Sequence, residues 1–211
     1  MATRKAAAAH AVSPNNPCPF LRALVSEGLL ADDVESLAHV GQTIAEVART
    51  GDGQPALPAT AVGLVAMFGN GLWPWQTLHS LLSGVRLNEL RDGPLDKRGV
   101  GSGILDARAH VVKAELERLD SFATDLADPA AGGSERGLAI RQLRAFMDAN
   151  FERAKGRRRV VDRKLMDGEW PVLLKVMGKG KGARRYLSMT ELRTLFVQRQ
   201  LPRRMRDQLP A

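Results

Sequence analysis

The chain has a single cysteine, and its setting suits it to chemistry. Cys18 lies between Pro17 and Pro19, directly before an apolar run that starts at Phe20. Proline is favoured at the first position of a helix, where its missing N–H sacrifices no hydrogen bond. The sequence therefore predicts a helix from Pro19 to about Glu27, with Cys18 at its N-cap.

A sulfur at a helix N-cap lies in a favourable place for a negative charge. The first backbone N–H groups of a helix have no partner within the helix, and the positive end of the helix dipole lies behind them. Both effects favour the thiolate over the thiol. A thiolate held at Cys18 suits either a nucleophile or a metal ligand. The alternative is that Cys18 is a small, buried apolar residue.

Four short motifs occur along the chain, and their shared order is more informative than any one of them alone. Pro-Cys-Pro at 17–19 precedes a helix and a glycine, and a leucine-rich segment runs through 87–106. Gly-Glu-Trp opens an apolar run at 168–176, and Ser-Met-Thr-Glu-Leu begins the segment 188–202. In order and rough spacing this series resembles the haem-thiolate chloroperoxidase and unspecific peroxygenase family. The resemblance extends over nearly the whole chain, from about residue 15 to residue 204.

That resemblance implies an all-α fold, a single compact multi-helix domain of residues 15–211 that follows a flexible tail of residues 1–14. It also implies that haem b is bound through Cys18, with Pro17 and Pro19 framing the axial ligand. Electron donation by the thiolate favours cleavage of the O–O bond of a peroxide.

The catalytic acid and base are also implied by the resemblance. Glu169 corresponds to the distal glutamate, which takes a proton from hydrogen peroxide and returns it to the leaving oxygen. Arg163 stands in for the arginine that family peroxygenases carry before this glutamate. The implied activity is a peroxidase or peroxygenase that oxidises or oxygenates a small organic substrate.

One motif departs from the family. Where relatives carry Glu-His-Asp followed by a serine, this chain reads Ile-Leu-Asp-Ala-Arg at 104–108. In the family these side chains hold magnesium against a haem propionate, and only Asp106 matches, so magnesium is not expected. Arg108 is predicted to replace the cation, because a guanidinium pairs well with a carboxylate. The alternative is a surface ion pair between Asp106 and Arg108.

Composition limits the remaining function classes. A length of 211 residues with 44% hydrophobic residues indicates one globular domain, and one cysteine excludes an intrachain disulfide. The sequence shows no leucine-rich signal peptide and no apolar run of membrane-spanning length, so we expect a cytoplasmic protein without a membrane partner.

The net charge of +8 and a pI near 10.2 support one competing class, a basic nucleic-acid-binding or adaptor protein without catalysis. Its evidence is the basic clusters at 155–159, 179–185 and 203–206. Few aromatic residues interleave with these clusters, so nucleic acid is not favoured as a partner, although it is not excluded. A haem-sensing protein that uses Cys18 and Pro19 is a third possibility.

Apolar spacing and capping signals predict the remaining helices. Asp32 with Glu35, and Ser188 with Glu191, form capping boxes for the second and the last helix. The segment 179–185 is predicted to be a flexible basic loop, and 91–103 a long ordered loop. The predicted helices after the first cover about residues 33–50, 59–68, 75–82, 109–126, 135–155, 160–177 and 188–198.

Overall fold

A computed structural model describes most of the chain. The helices predicted at 59–68 and 75–82 lie outside the described residues, as do positions 92–100 of the predicted loop. The structure describes residues 10–52, 84–91, 101–128, 132–159 and 162–209.

Helices and two small antiparallel sheets build the described part of the chain, so the prediction of an all-α fold is wrong. The helices are α1 (Pro19–Ser26), α2 (Leu37–Arg49), α3 (Lys113–Ser121), α4 (Ile140–Arg153), α5 (Asp162–Met177), α6 (Met189–Arg193) and α7 (Arg203–Arg206). The strands are β1 (Val34–Glu35), β2 (Val85–Arg86), β3 (Thr124–Asp128), β4 (Gly133–Ala139) and β5 (Tyr186–Ser188). Single turns of 3₁₀ helix cover Leu87–Glu89 and Gly182–Arg184, and a π-helical turn covers Thr194–Gln198.

The larger sheet has the strand order β3-β4-β5. Strands β3 and β4 form a hairpin in which Thr124 pairs with Gly137 and Asp128 pairs with Gly133. Strand β5 joins β4 from a distant part of the sequence, with Ser188 opposite Gly137. In the smaller sheet, β1 and β2 pair over two residues each.

The hairpin replaces parts of two predicted helices. Helix α3 ends at Ser121, although a helix was expected as far as about 126, and the helix expected from 135 begins only at Ile140. The hairpin strands are largely polar and exposed, so they lack the alternation of apolar and polar residues that identifies a strand in a sequence. The pairing of β4 with β3 and with β5, which is distant in sequence, overrides local helix propensity.

Capping explains where two helices begin. Ser188 Oγ accepts a hydrogen bond from the Glu191 backbone N–H at 3.3 Å, which confirms Ser188 as the N-cap, whereas the described contacts of the Glu191 carboxylate are with Arg204. The predicted cap of the second helix is wrong, because Glu35 lies in β1 and Ser36 is the N-cap of α2. Ser36 Oγ accepts from the His39 backbone N–H at 3.1 Å.

Three buried aromatic side chains and the partly buried Phe122 form a row through the core. The ring centroids of Phe122 and Phe146 are 5.5 Å apart, those of Phe146 and Trp170 are 5.6 Å apart, and those of Trp170 and Phe196 are 6.5 Å apart. The first two pairs meet edge to face, an arrangement that the charge distribution of aromatic rings favours. This row of rings connects α4 and α5 with the π-helical turn.

The described end of the predicted tail is attached to the domain. The His10 backbone N–H donates to the Ser26 carbonyl at 3.1 Å, and the Ser13 N–H donates to Asp32 Oδ2 at 2.8 Å. Across the described ranges, no helix combines the length and the apolar character that crossing a membrane requires.

Candidate functional site

Cys18 lies at the position that the sequence predicts. It is the N-cap of α1, with extended backbone angles (φ −83°, ψ 113°) and Pro19 as the first helical residue. Its carbonyl accepts the first helical hydrogen bond from the Arg22 N–H at 3.0 Å, and its own N–H donates to Asn16 Oδ1 at 3.2 Å. The side chain is half-buried against the edge of the core. The structure therefore confirms the predicted helix and its N-cap residue.

Arg22 lies one helical turn beyond Cys18 and is 4% exposed. Its Nη1 donates to the Ser13 carbonyl at 2.7 Å and to the Asn16 carbonyl at 3.1 Å. Burial, followed by the positive charge of Arg199, holds the pKa of Arg22 below its ordinary value, while Asp32 and Cys18 act in the opposite direction. The Cys18 sulfur therefore lies within electrostatic range of a buried guanidinium.

An open groove of about 450 Å³ lies beside Arg22. The segment before α1, the turn at 106–111 and the end of the π-helical turn form its walls. Arg22, Arg108, His110 and Arg199 bring basic side chains to it, and Phe196 contributes an apolar wall. None of the described residues that line the groove is acidic, so the groove is a basic cavity next to the Cys18 helix.

Asp106 organises the turn that carries Arg108. Its Oδ1 accepts the backbone N–H groups of Arg108 and His110, both at 2.8 Å, and its Oδ2 lies 3.5 Å from His110 Nδ1. The His110 N–H, and then the Arg108 N–H, hold the pKa of Asp106 below its usual range. The observed contact between Asp106 and Arg108 is thus a turn hydrogen bond to the backbone, and the Arg108 side chain lines the groove.

The structure does not bring Glu169 and Arg163 to this groove. Glu169 is exposed on α5, a helix that packs against α2, α4 and β5, whereas α1 packs against the π-helical turn. Arg163 Nη1 binds Asp148 Oδ1 at 2.5 Å, and its guanidinium lies 5.7 Å from the Phe151 ring centroid. The described contacts of Arg163 are therefore those of an ion pair and an aromatic contact.

Sequence reasoning missed three groove residues. Arg22 interrupts an apolar helix, which is a sign that its charge has a specific role, but nothing in the sequence shows what it faces. His110 follows Asp106, whereas the histidine of the family motif precedes its aspartate, so the resemblance assigns it no role. Arg199 comes close to Arg22 only through tertiary packing, so no local signal could have found it.

Several cations of the basic clusters are already paired with carboxylates. Lys179 Nζ lies 2.6 Å from both Asp128 Oδ2 and Glu135 Oε2, and the residue exchanges two backbone hydrogen bonds with Tyr186, so the prediction of a flexible loop is wrong there. Arg204 Nε lies 2.7 Å from Glu191 Oε1. These pairs reduce the charge available to a nucleic acid, because a contact with a phosphate would compete with them.

Comparison with known proteins finds no relative of this chain. No protein-family model matches this chain, and neither a curated protein nor a solved structure matches it. Within the part of the chain that the structure describes, no three His, Cys, Asp or Glu side chains are grouped as a metal site would require. The resemblance to the chloroperoxidase family therefore stays a prediction that depends on the motifs.

Proposed function

We propose that this protein is a haem-thiolate peroxidase or peroxygenase with Cys18 as the axial ligand. The observation that carries the proposal is the position of Cys18, which is half-buried at the N-cap of α1 and directly precedes Pro19, the first helical residue. Thiolate is a soft ligand that suits haem iron, and the positive end of a helix dipole favours a negative charge at this position. At this position the chain offers haem iron a soft axial ligand.

Other residues of the chain would hold and orient the group. Pro17 and Pro19 restrict the backbone on both sides of the ligand, and the hydrogen bond from Cys18 N–H to Asn16 Oδ1 fixes the turn that carries it. Arg108 offers its guanidinium to a carboxylate, the role predicted for it in place of a metal cation. Bound haem would supply the iron chemistry with peroxide, which a thiolate ligand promotes.

Glu169 is proposed as the residue that takes a proton from hydrogen peroxide and delivers it to the leaving oxygen. Its side chain is exposed on α5, so the carboxylate is accessible from solvent. No described contact joins it to Cys18, so this role is supported by the Gly-Glu-Trp motif alone.

The ligand is tested with haem-reconstituted protein in the ferrous carbon monoxide form. We expect wild type to show the red-shifted Soret band of thiolate-ligated haem, and Cys18→Ala to lose that band while keeping its far-ultraviolet circular dichroism. Failure to take up haem, or a spectrum that Cys18→Ala leaves unchanged, would refute the proposal.

The acid and base are tested separately from the ligand. Glu169→Gln should keep the thiolate spectrum and lower peroxide-driven oxidation of a phenolic dye by at least about 100-fold, the usual contribution of such a group. Glu117→Gln, a change of an exposed glutamate on α3, is the matched control. Equal activity of the two variants would remove Glu169 from the proposed mechanism.

A further inference from the structure

Unfavourable backbone geometry is concentrated at the basic groove. Among the described residues, Ala109 (φ 57°) and Arg199 (φ 55°) are the non-glycine residues with positive φ. Both line the groove. Left-handed geometry is disfavoured for L-residues, and it persists where surrounding structure enforces it, often at binding sites. Two such residues on one cavity therefore point to a function for that cavity.

The lining of the groove is rich in positive charge. Arg22, Arg108 and Arg199 line it together with His110, and no described lining residue is acidic. No ion pair with a carboxylate is found for the guanidinium of Arg108 or Arg199 in the described structure, and Arg22 Nη1 bonds only carbonyl oxygens. The positive charge of Arg199 acts to lower the pKa of Arg22, so these two cations repel each other, and an anion bound between them would relieve that repulsion.

Each arginine is held by its backbone environment. Arg108 lies in the turn that Asp106 closes, and Arg199 ends the π-helical turn with its backbone N–H bonded to the Thr194 carbonyl. Arg22 is fixed inside α1 by its two carbonyl contacts. Because the Arg22 guanidinium is already held by these contacts, it loses less side-chain entropy when it binds a ligand.

We propose that this groove binds a small organic carboxylate. Guanidinium groups pair with carboxylates through two parallel hydrogen bonds, and three of them line the cavity. The ring of Phe196 supplies an apolar wall for the organic part of the ligand. A volume of about 450 Å³ is that of an ordinary small-molecule pocket.

The carboxylate can come from either of two sources, a propionate of bound haem or a free carboxylic acid. Binding of the free acid goes beyond the proposed function, because it does not require haem or the Cys18 sulfur.

The test is calorimetric titration of the full, haem-free chain with benzoate, with benzyl alcohol as the uncharged counterpart. We expect benzoate to bind and benzyl alcohol not to bind. Arg108→Gln and Arg199→Gln should each weaken benzoate binding at least ten-fold. Arg184→Gln removes an exposed arginine outside the groove and should leave the affinity unchanged. Absence of benzoate binding to wild type, or equal weakening in all three variants, would overturn the proposal.

Two further arms identify the source of the carboxylate. If the groove holds a haem propionate, saturation with haem should abolish benzoate binding, whereas haem dimethyl ester should not. If the ligand is a free acid, benzoate should bind to the haem-loaded protein with unchanged affinity. Cys18→Ala should leave benzoate binding to the haem-free chain unchanged, so failure of the haem proposal is distinguishable from failure of this one.

Discussion

Replacing Arg199 by glycine should stabilise the fold while it impairs the groove. Arg199 has φ 55° and ψ 44°, and its side chain is exposed, so little packing is lost with it. Left-handed geometry costs an L-residue about 1–2 kcal/mol, and glycine avoids this cost. Glycine loses about 0.5–1 kcal/mol through the greater freedom of the unfolded chain. The net expectation is a rise of about 0.5–1 kcal/mol in the free energy of unfolding.

Urea denaturation of wild type, Arg199→Gly and Arg199→Gln separates the backbone contribution from the charge. Glutamine removes the charge but keeps the left-handed backbone, so the difference between the two variants measures the cost of the left-handed geometry less the entropy loss that glycine brings. With a typical urea dependence, 1 kcal/mol moves the midpoint by about 0.3–1 M. Both variants should lose benzoate affinity. A glycine variant no more stable than the glutamine variant would refute the argument that Arg199 is held in an unfavourable conformation.

Two more predictions concern the larger sheet, both measured by urea denaturation. Burial acts to raise the pKa of Glu135, but hydrogen bonds, first among them that from Lys179, hold it below the usual value of 4.5. The stabilisation by the Glu135 carboxylate is therefore complete at neutral pH and is lost as the pH falls below that value. Glu135→Gln should lower the free energy of unfolding by about 2–3 kcal/mol at pH 7 and by little in acid. An equal loss at both pH values would contradict this argument. Gly137→Ala should lower the free energy of unfolding by about 1–3 kcal/mol, because the added methyl group would lie 2.5 Å from Tyr186 Cδ2. Gly133→Ala on the same strand is the control, because its methyl group would meet nothing within 4 Å.

Features governed by neighbouring residues were predictable from the sequence. Proline at the first helical position placed the start of α1, and therefore the N-cap role of Cys18, correctly. Ser188 and Glu191 likewise identified the start of α6. Both depend on backbone geometry and hydrogen bonds within a few residues, so local sequence determines them.

Tertiary structure decided the sheet and the groove. The polar strands β3 and β4 become strands because β5, from about 50 residues further along the chain, pairs with β4. Arg22, Arg108 and Arg199 are far apart in the sequence, and the packing of α1 against the π-helical turn brings the first and the last of them to one cavity. Neither result has a local signal, because long-range pairing and charge clustering depend on which surfaces meet when the core forms. Local capping identified Cys18, and only the folded chain showed the basic groove beside its helix.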